Sequence, residues 1–168
     1  MSDLLQARFD HFSCIFEQID DRLSNFADEF GWEIIKRRAG RDLYKVREAT
    51  FVFGIHVDGE WRELDLEAPM LYTVSTTVFF DPASDLRCVK NNYLAVSQTF
   101  DYVKANLDAL WQHAVDLYEE CPLPTQRTEE NYGGFYSVPE GWNVGSRGTI
   151  EAYIKAETLR LQAEGTDT

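Results

Sequence analysis

The sequence predicts an α+β protein: an antiparallel four- or five-stranded meander flanked by two long amphipathic helices, with a C-terminal irregular strap and short helix. Three observations carry this reading. Two long segments repeat their apolar side chains at steps of four and three. Between them the repeat drops to two. Beyond Pro122 the periodicity fades, while prolines and glycines accumulate.

In the first segment Leu5, Phe9, Phe12, Phe16, Ile19, Leu23, Phe26 and Phe30 fall on one stripe of a helix. Ser2 suits the N-cap, Asp3 the positive end of the dipole, and Gly31 the left-handed position after the last turn. The predicted helix spans residues 3–30, about 42 Å at 1.5 Å per residue. In the second, Val96, Phe100, Val103, Leu107, Leu110, Ala114 and Leu117 keep the same rhythm. Asn91-Asn92 marks its start and Pro122 its end, giving a helix over 93–120. Phenylalanine-rich stripes suit a broad surface such as a sheet better than a two-stranded coiled coil. Intramolecular packing is therefore expected, with a homodimer through a helix face as the other option.

The strands come between. Trp32–Arg37 and Leu43–Glu48 flank Ala39-Gly40-Arg41-Asp42, which reads as a turn. Phe51, Phe53, Ile55 and Val57 alternate with Val52, Gly54 and His56, and Asp58-Gly59 is a two-residue hairpin signal. It would fold Trp61–Glu67 back so that Ile55 opposes Arg62 and Phe53 opposes Leu64. Met70–Phe80, β-branched and aromatic, supplies a further strand before Asp81-Pro82. The helices should cover one face of the sheet. Residues 1–120 form this core. Residues 121–168 add a strap, with a short strand at Gly134–Val138 and a helix over 149–163, packed on the same domain.

The chain has 168 residues and a formal charge of -13, from 16 basic and 29 acidic side chains. Aromatics at 14% exclude a disordered acidic tail. No apolar run reaches the roughly 18–20 residues that cross a bilayer, and no basic-then-apolar leader opens the sequence. Cys14, Cys88 and Cys121 are too few and too scattered for a disulfide framework or a zinc pattern, so free thiols and a cytoplasmic location are expected. Charge is unevenly placed. Residues 3–30 hold seven acids against Arg8 and Arg22, and residues 93–120 hold five against Lys104. Residues 36–47 instead gather Lys36, Arg37, Arg38, Arg41, Lys45 and Arg47 around Asp42.

The candidate chemistry is sparse. On the expected hairpin His56 shares a face with Glu63, Asp65 and Glu67, a set that could bind a divalent cation or let a carboxylate orient an imidazole base. The bland alternative is an exposed sheet face. No lysine completes a nuclease pattern there, and neither a metal site nor a cofactor is assigned. Arg37, Arg38 and Arg41 are anion-binding candidates. So is Arg147, in the glycine-rich approach to the last helix, although neither the phosphate-loop nor the dinucleotide spacing is present. Nucleic acid is disfavoured by the acidic field. Tyr132, Phe135, Tyr136 and Trp142 on the strap, with Asp101 and Asp108 on the second helix, are partner-binding candidates. In size, acidity and helix–meander–helix order the chain is similar to bacterial secretion chaperones and toxin-immunity proteins. That likeness of layout implies a binding role. The expectation is a non-catalytic acidic module for a basic protein partner, inhibitor-, immunity- or chaperone-like. The alternative is a small, metal-assisted enzyme built on His56, Glu63 and Asp65.

Overall fold

The computed structural model describes residues 3–37, 39–46, 49–58, 68–80, 86–124, 127–128 and 135–146. The first helix, α1, runs Asp3–Phe30 as the stripe requires, and Gly31 closes it at φ +65°. Strands β1 (Glu33–Arg37), β2 (Gly40–Val46), β3 (Thr50–Val57), β4 (Tyr72–Phe80) and β5 (Leu86–Gln98) follow, then α2 (Phe100–Glu119). Two short strands, β6 (Arg127–Thr128) and β7 (Phe135–Tyr136), pair with each other, and β8 (Asn143–Ser146) joins the main sheet. That sheet has the order β1-β2-β3-β4-β5-β8, every neighbour antiparallel.

Both helices lie on one face. Phe12, Phe16, Ile19 and Leu23 of α1 are buried with Val103, Leu107, Trp111 and Ala114 of α2 over the alternate residues Phe51, Phe53, Ile55 and Val57 of β3. From Phe12 to Leu23 on α1 and from Val103 to Ala114 on α2 the stripes are thus buried inside one chain. Aromatic rings dominate the contact. Phe26 stacks on Trp111 at 4.9 Å, and Trp32 and Phe53 meet the same indole edge-on at 4.8 and 5.2 Å.

The structure corrects the expected elements in three places. Arg37 pairs with Gly40, so Arg41 and Asp42 belong to β2 rather than to a turn and point to opposite faces. The second correction concerns β3. It pairs along its whole length with β2 on one side and β4 on the other, with Ile55 opposite Val74 and Phe53 opposite Thr76. No edge remains for residues 61–67, which lie outside the described residues. Their place beside β3 is taken by β4, and the fifth strand is β5, whose residues 93–98 the sequence assigned to the second helix. That helix begins instead at Phe100, where the Thr99 hydroxyl accepts the Tyr102 N–H at 3.2 Å. Val96 is accordingly exposed. The short strand expected at Gly134–Val138 is present as β7, while the helix expected over 149–163 falls outside the described residues.

Trp111→Ala removes the indole that both helices and the sheet share, and should cost about 3–5 kcal/mol of unfolding free energy in a denaturant titration. Gly31→Ala leaves the packing untouched, since nothing lies within 4 Å of an added methyl. It should cost only about 1 kcal/mol, from the left-handed backbone.

Candidate functional site

The helices cover one face; the other is covered by no helix among the described residues, and it is hollowed. A hollow of about 240 Å³ lies across β1–β5. Its apolar lining comes from Ile35, Tyr44, Val52, Phe79 and Val89, and hydroxyl or amide groups come from Thr50, Ser75, Thr77 and Asn91. Strand alternation dictates this set, for these positions interleave with the buried residues of the helix-covered face.

At the β1–β3 end the hollow holds three ionisable side chains. Asp42 is the centre, with its carboxylate only 3% exposed. Its Oδ2 forms an ion pair with the Arg37 guanidinium, and its Oδ1 lies 3.1 Å from Nε2 of His56. The latter contact lacks hydrogen-bond alignment, so it is an ion pair only when the imidazole is protonated. Two glycines make room for the ring. A Cβ on Gly54 would meet His56 Nε2 at 2.5 Å and Asp42 Oδ1 at 2.8 Å, and one on Gly40 would meet His56 Nδ1 at 2.8 Å. The imidazole therefore lies across two positions where any other residue would displace it. Beside this cluster the Tyr44 hydroxyl donates to the Glu33 carboxylate. That bond, then burial and the neighbouring negative charge, push the phenol up to about 12. In the core, burial does the same for Tyr72, also to about 12.

Chemically the site offers an imidazole with a buried carboxylate beside it, a guanidinium, and a floor of hydroxyls and apolar groups. No cluster of three metal-ligating side chains exists among the described residues. Cys14, Cys88 and Cys121 are free thiols, none lining the hollow, and burial pushes Cys88 up.

The candidates from sequence are dispersed. His56 lies in the hollow, but Glu63 and Asp65 fall outside the described residues, as do Arg38, Arg147 and Tyr132. Arg37 is occupied by Asp42. Arg41, an expected anion ligand, is instead buried on the helix side, where it binds both oxygens of Asp20 at 2.9 and 3.2 Å. Trp142 is 8% exposed and belongs to the core rather than to a binding surface. Phe135 and Tyr136 form β7, and their side chains are not among those described. Asp101 and Asp108 are exposed on α2, the latter bridged to Arg22 of α1 at 2.6 Å. The functional residue that sequence reasoning missed is Asp42. The signal was present in Gly40-Arg41-Asp42-Leu43 as a strand alternation, but the same residues also suit a turn.

Fold and site together define a helix-backed antiparallel sheet whose other face, uncovered by helix among the described residues, carries the hollow. Comparison with protein-family models, with curated proteins and with solved structures returns no match.

Gly54→Ala forces the imidazole and the carboxylate apart, and should cost about 1–3 kcal/mol in denaturant titration while shifting the His56 ring resonances. A second expectation concerns alkaline pH. Tyr44 and Tyr72 hold their protons more tightly when folded than the ordinary value near 10, so each contributes stability below pH 10 that is lost as pH rises through about 12. Tyr44→Phe should flatten the fall in stability over that window, measured alongside phenolate absorbance; an unchanged slope would contradict the Glu33 bond.

Proposed function

We propose that the protein is a non-catalytic acidic binding module that engages a basic protein partner, in the manner of an inhibitor, immunity protein or chaperone. The reading rests on one observation, the way charge is disposed across the helix layer. Lys36 and Arg41, from the basic β1–β2 hairpin, turn inward onto Asp20 of α1, and Lys45 donates to the Phe30 carbonyl. Arg37 is held by Asp42. The four described basic side chains of the segment are therefore engaged within the chain.

Among the described residues the outward acids have no such neutralisation, save Asp108, which Arg22 pairs. Asp3, Asp10, Glu17, Asp21 and Asp28 are exposed on α1, and at 100° per residue they fall within about 40° of one another, opposite the apolar stripe. Asp101, Asp108 and Glu119 form a similar exposed line on α2. Such ridges steer a cationic partner and raise its association rate more than its final affinity. Free cysteines accord with work in a reducing, cytoplasmic setting; among the described residues no helix is long and apolar enough to cross a membrane.

The test is affinity capture from an extract of the cells that make the protein, at low and at high salt. The comparison is with a chain carrying Asp10→Asn, Glu17→Gln, Asp21→Asn and Asp28→Asn. Wild type should retain a specific basic protein in a salt-sensitive way, and the neutralised chain should associate with it at least about tenfold more slowly. Retention of no specific basic protein, or retention indifferent to the four changes, overturns the reading.

A small enzyme built on His56 is the second reading. It is favoured by one specific observation: the imidazole lies in a hollow with the Asp42 carboxylate 3.1 Å from its Nε2, the pair of groups a general base uses, although without hydrogen-bond alignment between them. In that reading Asp42 takes the part first given to Glu63 and Asp65. Any turnover by the protein should then vanish in His56→Ala while the fold is retained by circular dichroism. Turnover that survives that change excludes His56 as the base.

A further inference from the structure

β1 ends the six-strand order, so one edge of Glu33–Arg37 has no strand beside it among the described residues. The ladder fixes which backbone groups face that edge. Val57 N–H donates to the Ala39 carbonyl at 2.9 Å, which turns Ala39, and by alternation Arg41 and Leu43, toward β3. Gly40, Asp42 and Tyr44 therefore bond to β1, at Arg37, Ile35 and Glu33. Ile34 and Lys36 are left to point their N–H and C=O groups outward.

We propose that this edge pairs with β1 of a second copy of the chain, antiparallel about a two-fold axis at Ile35. Self-complementarity of the strand selects this occupant. In that register Ile34 faces Lys36 of the second copy on both sides of the axis, and these are the outward-pointing residues, so four backbone hydrogen bonds close. Glu33 faces Arg37 of the second copy, acid against guanidinium. Moving the axis to Lys36 would set lysine against lysine, and moving it to Ile34 would place Lys36 and Arg37 beyond the end of the facing strand. The two Ile35 side chains meet at the close, non-hydrogen-bonded position and on the open face, because Ile35 lines the hollow.

The dimer thereby joins two open faces into one continuous sheet, and the β1 wall of each hollow is completed by Ile35 of the second copy. An isologous contact of this kind is closed, so it uses both β1 edges without propagating into a fibre. The proposal is independent of what the acidic ridges or the hollow bind.

Sedimentation equilibrium of the full chain over micromolar concentrations tests it, with twice the chain mass expected. Lys36→Pro removes an outward N–H and leaves the β1–β2 ladder intact; it should raise the dimer dissociation constant at least about tenfold. Lys36→Ala, which loses the Asp20 contact but keeps the amide, should change it by less than about threefold. Independently, Ile35→Cys in a Cys14→Ser chain should oxidise to a disulfide-linked dimer, since non-hydrogen-bonded antiparallel pairs stand about 4.5 Å apart at Cα, within disulfide reach. Tyr93→Cys, at a position 72% exposed on β5, should not. Monomer mass throughout overturns the proposal. A dimer unaffected by a folded Lys36→Pro chain also overturns it, and should that variant not fold, failure of Ile35→Cys to link does the same.

Discussion

The indole of Trp111 is the point where α1, α2 and the sheet converge, and the remaining architecture depends on that junction. Phe26 and Phe30 reach it from α1, Phe53 from β3, and Trp32 from the link into β1. Flat rings need broad, complementary surfaces, and a single sheet face provides one wide enough for both helices side by side. Once both stripes are on that face, nothing from either helix is left to cover the other. Alternation then gives the uncovered face a mixed character: Val52, Thr77 and Phe79 are neither fully buried nor fully exposed. The hollow on the open side and the crowding of the closed side are thus two results of one packing choice.

The same constraint explains the two charged neighbours in β2. Adjacent strand residues must face opposite ways, so Arg41 enters the helix layer and Asp42 enters the hollow. Burying either ion alone would cost several kcal/mol. Each is compensated. Arg41 bonds Asp20 and the Arg37 and Gly40 carbonyls at 3.0 and 2.9 Å, with its guanidinium 4.7 Å from the Phe16 ring centroid. Asp42 has Arg37 and His56. A slip of one residue would send Asp42 toward Asp20 and Arg41 toward Arg37, pairing like with like in low dielectric. The pair therefore acts against misregister of the first hairpin.

These relations also explain what could be read from the sequence. The α1 stripe, its glycine stop and the alternation of β3 and β4 were legible because each is a periodicity within one element. The two-residue hairpin expected at Asp58-Gly59 is not formed, because Val57 pairs with Tyr72 across a longer connection. Local alternation in 61–67 and in 72–80 is equally good, and only the sheet decides which segment takes the edge of β3. β5 was hidden by Asn91-Asn92, residues of low strand propensity at the centre of the strand. Its C-terminal part was hidden by Val96, which sits in phase with the α2 stripe although it faces solvent. Of the candidate site, His56 was found and Asp42 was not. Their meeting is a cross-strand relation fixed by the β2–β3 register, and no spacing along the chain encodes it.

Charge separates the two surfaces of the molecule further. The helix side carries rows of carboxylates with Arg8, Arg22 and Lys104 among them, and exposed pairs such as Arg22–Asp108 contribute little to stability. The hollow side is close to neutral at its ionisable end, since Arg37 balances Asp42 and the imidazole adds charge only when protonated. A strongly charged ligand attracted by the ridges thus has no reason to enter the hollow, and a ligand that fits the hollow gains little from the ridges. Pairing at β1 would extend the open face across the axis, with Glu33 of each copy facing Arg37 of the other, while the ridges remain on the helix side of each chain. The two surfaces can therefore act independently: changing the carboxylates of α1 should leave the open face unaltered, and changing Gly54 or His56 should leave the ridges unaltered.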